Sequence, residues 1–142
     1  MAEWSVPQRI AAVYTILFLL VVAMGYVPAF VNEAGELFGL FHIDPIDDAL
    51  HLASAAWAGF AAWHSLAWTL VYFRWFGTLY LLDGVAGIAF GKGYLDGALF
   101  MANESGIADM GTRIAANIPH IVLGGFALAA GIYYTRKATT RG

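Results

Sequence analysis

Four histidines and ten acidic residues carry most of the chemistry open to this 142-residue chain, and no cysteine joins them. Two of the histidines follow an Asx residue by three positions: Asp48 and His51 in DPIDDALHL, Asn117 and His120 in ANIPHIVLGG. Residues three or four apart share a helix face, so Asp48 or Asp47 can accept from the His51 ring, and Asn117 from His120. An imidazole oriented through one nitrogen keeps the other free as a ligand. His51 and His120 are therefore candidate axial or coordinating residues for one haem, chlorin or divalent metal, with Asp83 of YLLDGVAG orienting one ring. A second, irregularly spaced set, His42, Asp44 and His51, could hold a transition metal. Asp83 alone could serve a small proton-coupled transporter, although helices 1 and 4 offer no further acid to continue a relay. The plainer alternative is a polar layer in which the Asx residues cap helix ends and the histidines only bind helix to helix.

His64 follows His51 by thirteen positions, a spacing found in two-haem membrane cytochromes. At about 100° per residue it points about 140° away from the face of His51, so it is expected at the edge of a turn. No phosphate loop, nucleophile–base pairing or helical His-Glu zinc motif occurs in the sequence.

The elements that must position these residues are apolar. The chain is 61% hydrophobic and 12% charged, against roughly 45–50% and about 25% in soluble domains. That excludes a soluble enzyme and a disordered chain. The missing cysteines exclude disulfides, thiolate metal sites and thiol catalysis. A net charge of −3 without a basic patch excludes a nucleic-acid partner. Uncharged runs at 10–32, 49–73 and 114–135, and 75–91 with Asp83 as its one charge, predict an all-α membrane bundle. Its four transmembrane helices are expected at about 9–30, 45–63, 70–91 and 113–135, with a turn at 63–69, in a single membrane domain spanning residues 1–142.

Charge orients the bundle. The side holding both termini and the 63–69 turn has five bases, Arg9, Arg74, Arg136, Lys137 and Arg141; the other has two, Lys92 and Arg113, among eight acids. Both termini are thus expected in the cytoplasm of a bacterial cell, with the protein in its plasma (inner) membrane. Trp63, Trp68, Tyr72, Trp75, Tyr133 and Tyr134 form the expected inner aromatic belt. The apolar run after Arg9 exceeds a signal-peptide core, so helix 1 is read as a retained span. At about 1.5 Å per residue, His51, His120 and Asp83 lie roughly 9, 10 and 12 Å below the outer helix ends. Ionisable groups at that depth face the bundle interior and find partners.

The two halves are alike. FLLVVAMGYVP (18–28) leads to DDALHLASAAWAG (47–59), and YLLDGVAGIAFG (80–91) leads to ANIPHIVLGGFALAAG (116–131). Gly25 matches Gly87, Asp48 matches Asn117, and His51 matches His120. A parallel repeat of two helical hairpins would make the histidines pseudo-twofold partners, in contact or about 4 Å apart around a metal whose bonds to nitrogen are about 2.0–2.1 Å. Pro119 could turn His120 off that axis through a kink. Small residues on helix 2 (Ala55, Gly59, Ala62) and helix 4 (Gly124, Ala127, Gly131) predict close helix packing.

With GYVP (25–28), LFHIDPIDDALHL (40–52), YFRWFGTLYLL (72–82) and NIPHIVLGG (117–125), the chain resembles an uncharacterised family of bacterial four-helix integral membrane proteins, frequent in actinobacteria and proteobacteria. The likeness covers roughly residues 9–135; Pro119 and Asp83 depart from the family's usual residues. It implies the topology and no particular reaction. The expected function is that of a small non-enzymatic membrane protein, an accessory or structural subunit packed in lipid against itself or a larger complex.

Overall fold

The computed structural model describes residues 3–42, 44–101, 105–107 and 109–140, and of His42 only the backbone. The fold is all-α. Among the described residues four α-helices, α1 (Val6–Gly25), α2 (Pro45–His64), α3 (Leu66–Phe90) and α4 (Met110–Thr139), are joined by two long connections at one end and a single residue at the other. The first connection carries a hairpin, β1 (Glu36–Leu37) and β2 (Phe41–His42), which the sequence reading did not anticipate. Its turn places Phe38 and Gly39 at φ 56° and 67°.

Local chemistry sets each boundary. The Asp44 side chain accepts from the N–H of Ile46 (2.7 Å) and Asp47 (3.0 Å), and Pro45 holds the first helical position, so α2 starts where DPIDD predicts. Helix α1 ends at Gly25, short of the expected 30, as GYVP turns away. Helix α3 begins at Leu66 rather than 70. Ser65 both donates its N–H to Ala61 at the end of α2 and caps α3 by accepting from Trp68 N–H (3.3 Å). Helix α4 outruns the expected 113–135 at both ends; at its start Asp109, not Asn117, is the cap.

Asp109 accepts from the Thr112 N–H (2.7 Å) and hydroxyl (2.9 Å), which holds its carboxyl below the usual carboxylate range. A depressed folded-state value means the cap is at full strength above the unfolded carboxylate range and is lost as pH falls through the folded value. The protection factors of the Thr112 and Arg113 amides, corrected for the intrinsic pH dependence of exchange, are expected to fall on acidification through that window. In Asp109→Asn, which keeps the acceptor without the titration, that fall should vanish; an unchanged acid profile would refute the assignment.

In each half one helix supplies rings to the core and the other supplies small residues. Helices α1 and α3 supply rings, Tyr14 and Phe18 from one and Tyr72, Phe73, Phe76 and Tyr80 from the other, all buried. Helices α2 and α4 supply small residues, Ala55, Ala58, Ala61 and Ala62 opposite Ala127 and Ala130. Helix α1 packs mainly on α2 and α3 on α4, with α3 also touching both helices of the first half. Rings therefore lie in clefts that only Ala and Gly leave open. Gly59 faces Thr15 of α1, and Gly124 and Gly131 face α3, as the small-residue stripes predict. Tyr72 belongs to this core, not to the aromatic belt; Trp63, Trp75 and Tyr133 are exposed.

The Tyr72 hydroxyl is the one buried side-chain polar atom without a hydrogen-bond partner among the described residues. An unsatisfied buried hydroxyl costs about 1–3 kcal/mol. Tyr72→Phe is therefore expected to raise unfolding stability in detergent by about 1 kcal/mol; a loss of that size would reveal a hidden partner.

Among the described residues α1 and α4 are long and apolar enough to cross a membrane. Helices α2 and α3 do not reach that measure: Asp47 and Asp48 open α2, and α3 carries Arg74 and Asp83 among its Trp and Tyr residues.

Candidate functional site

A cavity of about 420 Å³ lies at the end that carries both long connections. His51, Asp83 and His120 all line it, so three different helices bring the three polar residues singled out in the sequence to one space. Each ring is held through the same atom. At His51, Nδ1 lies 2.8 Å from the backbone oxygen of Asp47. A carbonyl only accepts, so Nδ1 carries a proton, and the neutral ring keeps its lone pair on Nε2. At His120, Nδ1 donates to the Asp83 carboxylate at 2.7 Å, so its neutral ring likewise keeps the lone pair on Nε2. Neither Nε2 has a hydrogen-bond partner among the described residues. Phe18 flanks His51 at 5.8 Å between ring centroids, and Tyr80 flanks His120 at 5.1 Å.

The partners differ from those the Asx-x-x-His spacing predicts. Asp47 serves His51 through its backbone, not its carboxylate. Asp48 instead accepts from the Tyr26 hydroxyl at 2.6 Å, and that bond raises the Tyr26 phenol above its ordinary value. Asn117 neither caps α4 nor touches His120; its amide donates to the Arg113 carbonyl (2.9 Å) and packs on Gly87 of α3. Helix α4 starts seven residues before Asn117, which puts that side chain in mid-helix. Pro119 sits inside the same helix and does not keep His120 from Asp83.

Asp83 does more than orient a ring. It is 3% exposed, and its Oδ1 accepts from the backbone N–H of Tyr94 (2.7 Å) and Leu95 (2.9 Å). The chain after α3 thus folds back into the bundle. Gly93 permits this approach: a Cβ there would meet Asp83 Oδ1 at 2.8 Å. Tyr94 completes the clamp by donating its hydroxyl to the Leu79 carbonyl at 2.7 Å, and burial beside Asp83 raises its phenol so that the proton stays. The helices expected at 70–91 and 113–135 leave 92–97 in the loop between them. The pair of glycines at 91 and 93, eight and ten residues after a lone intramembrane acid, was the available signal.

The rest of the lining is of two kinds. Leu17, Val21 and Met24 of α1 and Leu123 of α4 make an apolar wall, and buried Leu37 of β1 closes over it. Asp44, Asp47, Asp48 and Asp96 make the polar side, with Lys92 the one cation among the described lining residues. Lys92 donates to the Met101 carbonyl (3.3 Å), Asp96 accepts from Ala98 N–H (2.9 Å), and one Asp44 oxygen is spent on its cap. The His42, Asp44, His51 set rests on a His42 side chain outside the described residues. Among those described, no three His, Asp or Glu side chains gather closely enough to hold a metal. His64 is exposed at the end of α2, against the rings of Phe60 and Trp68 and far from the cavity lining.

Compared with family models, curated proteins and solved structures, the chain matches none at a significant level. The functional reading rests on the geometry alone.

Proposed function

We propose that this protein is a small non-enzymatic integral membrane protein that binds a small molecule at the end of a four-helix unit, with His51 and His120 as its polar contacts. The observation that carries the reading is the pair of imidazoles, each anchored through Nδ1 and each with Nε2 unpartnered among the described residues, on one cavity of about 420 Å³. Small-molecule sites have roughly that size, about 300–1,000 Å³, and the same composition of apolar wall and few polar groups.

Membrane embedding of all four helices is supported by their outward faces. Leu52 and Phe60 of α2, and Val71, Leu82 and Val85 of α3, are exposed, as only lipid or a partner subunit would allow on so many sides. Arg9, Arg74, Arg136 and Lys137 lie toward the Ser65 end and the acids toward the cavity. We read the termini as cytoplasmic and the cavity as opening to the outside of a bacterial inner membrane. Accessory membership in a larger complex is compatible with those apolar flanks. Asp83, with three donors on its carboxylate, is read as a clamp and not as a proton carrier.

The tautomers favour a second reading, coordination of one haem, chlorin or metal through the two Nε2 atoms, because ligating histidines donate their other ring N–H to a carbonyl or carboxylate in this way. One experiment addresses both. Protein purified in mild detergent is compared with His51→Ala and His120→Ala by absorption and by mass spectrometry of released small molecules. A molecule retained by the parent and lost from both variants is expected; a Soret or Qy band would assign it to the tetrapyrroles. Identical profiles from folded parent and variants would overturn the binding reading.

A further inference from the structure

We infer that the outward face of α4 binds an anionic glycerophospholipid, its phosphate on Arg136 and Lys137 and its chains along the apolar stripe before them. The inference rests on the membrane embedding proposed above and not on the cavity. Ala129, Ile132, Tyr133, Arg136, Lys137 and Thr140 line one open groove, at the three- and four-residue spacing that puts side chains on one helix face. At about 100° per residue, Tyr133 lies about 180° round α4 from Gly124, which touches α3. The groove therefore looks away from the bundle. Ile118, Val122 and Phe126 continue the same face toward the other end, and all three are exposed.

Along its length this face changes from aliphatic side chains, through one phenol ring, to two cations. Lys137 Nζ lies 5.8 Å from the centroid of the Tyr133 ring, so charge and ring stand together. Neither cation has a carboxylate within ion-pair distance; among the described residues the one such contact joins His120 and Asp83. Basic residues at the edge of hydrocarbon attract anionic headgroups, and the order of groups on α4 is the order of groups in a phospholipid. A second copy of the chain is the other candidate for so apolar a face. In a parallel pair about an axis along the membrane normal, Arg136 and Lys137 would meet their own copies with no acid among them. A soluble anion would use the cations and leave the stripe uncovered.

The test titrates the full chain, purified in mild detergent, with dioleoyl phosphatidylglycerol or dioleoyl phosphatidylcholine and counts lipid-bound states by native mass spectrometry. The anionic lipid should bind at least about five-fold more tightly at low ionic strength, and salt should erode the preference. Arg136→Gln combined with Lys137→Gln should bring the two lipids to within about two-fold of each other. Arg74→Gln removes an exposed base beside Gly131 but outside the groove, and should leave the preference intact. Millimolar inorganic phosphate should not displace the lipid. Equal binding of the two lipids by the parent would overturn the inference. So would a double variant with its preference intact, since the two cations would then serve only the dipole at the end of α4. An equal loss in Arg74→Gln would reduce the effect to the net charge of that end, and displacement by phosphate would assign the cations to a soluble anion; either overturns it. Release of the protein from membranes by alkaline carbonate would remove the membrane reading itself. Protein that stays embedded and shows no lipid preference fails this inference alone.

Discussion

Asp83→Ala is expected to cost about 3–5 kcal/mol of unfolding stability, because a buried carboxylate that accepts three hydrogen bonds is removed. The reason is countable. The Tyr94 and Leu95 amides and the His120 ring each lose their acceptor, and buried donors left unpaired cost about 1–3 kcal/mol each before relaxation. The 91–97 segment should then leave the bundle, and protease cleavage near Tyr94 in the detergent-solubilised protein reports that directly. Asp83→Asn separates clamp from ring. Its Oδ1 can still accept both amides, so stability should fall by less than about 1.5 kcal/mol. Its NH₂ can only donate to His120, which must then protonate Nε2 in place of Nδ1. Nitrogen-15 NMR of the His120 ring should record the tautomer exchange, and any ligand accepted by Nε2 should be lost. A fully stable Asp83→Ala, or an unchanged His120 tautomer in Asp83→Asn, would remove the clamp from the account.

Gly77→Ala should be nearly as damaging, for a steric reason. Helices α3 and α4 cross at Gly77 and Gly124 with their backbones in contact. A methyl at Gly77 would lie 2.8 Å from the Gly124 carbonyl oxygen and closer still to the Leu128 amide nitrogen. Neither neighbour is a flexible side chain, so the helices must separate. Overpacking of this kind costs about 1–3 kcal/mol, and the upper end is expected here because the most extensive interface of the bundle runs through that point. Gly125→Ala, one residue from the contact, would meet only Leu81 Cδ1 at 4.0 Å and serves as the control. Equal midpoints for the two alanine variants in a denaturant titration would contradict the close crossing.

The sequence was most legible where one residue type has one physical use. Asp44 and Pro45 could only begin a helix, and they do. The stripes at 55, 59 and 62 and at 124, 127 and 131 could only admit another helix, and rings or backbone fill them. Periodicity also collected His51, Asp83 and His120 into one layer, because depth along a helix follows from counting. What it could not supply was partnership across the chain. The Asx-x-x-His spacing suggests a local bond, yet a backbone carbonyl competes for His51 and a carboxylate 37 positions away competes for His120. The return of 91–97 into the bundle is equally non-local. No hydrophobic pattern marks it, since its contribution is two amide protons.

The Ser65 junction has a mechanical consequence. Two long helices meet with no slack between them, and the extended backbone of that one residue (φ −172°, ψ 164°), together with its four hydrogen bonds, sets the angle at which they diverge. A joint of this kind leaves no linker, so rocking of the two hairpins about it would have to break hydrogen bonds at two helix ends. Any admission of a molecule to the cavity has to be achieved by strain or rearrangement in 26–44 and 91–109, two connections of equal length at the opposite end. Splitting the chain or inserting a reporter at Ser65 should therefore sever this elbow, whereas the turn at Gly35 has room for one.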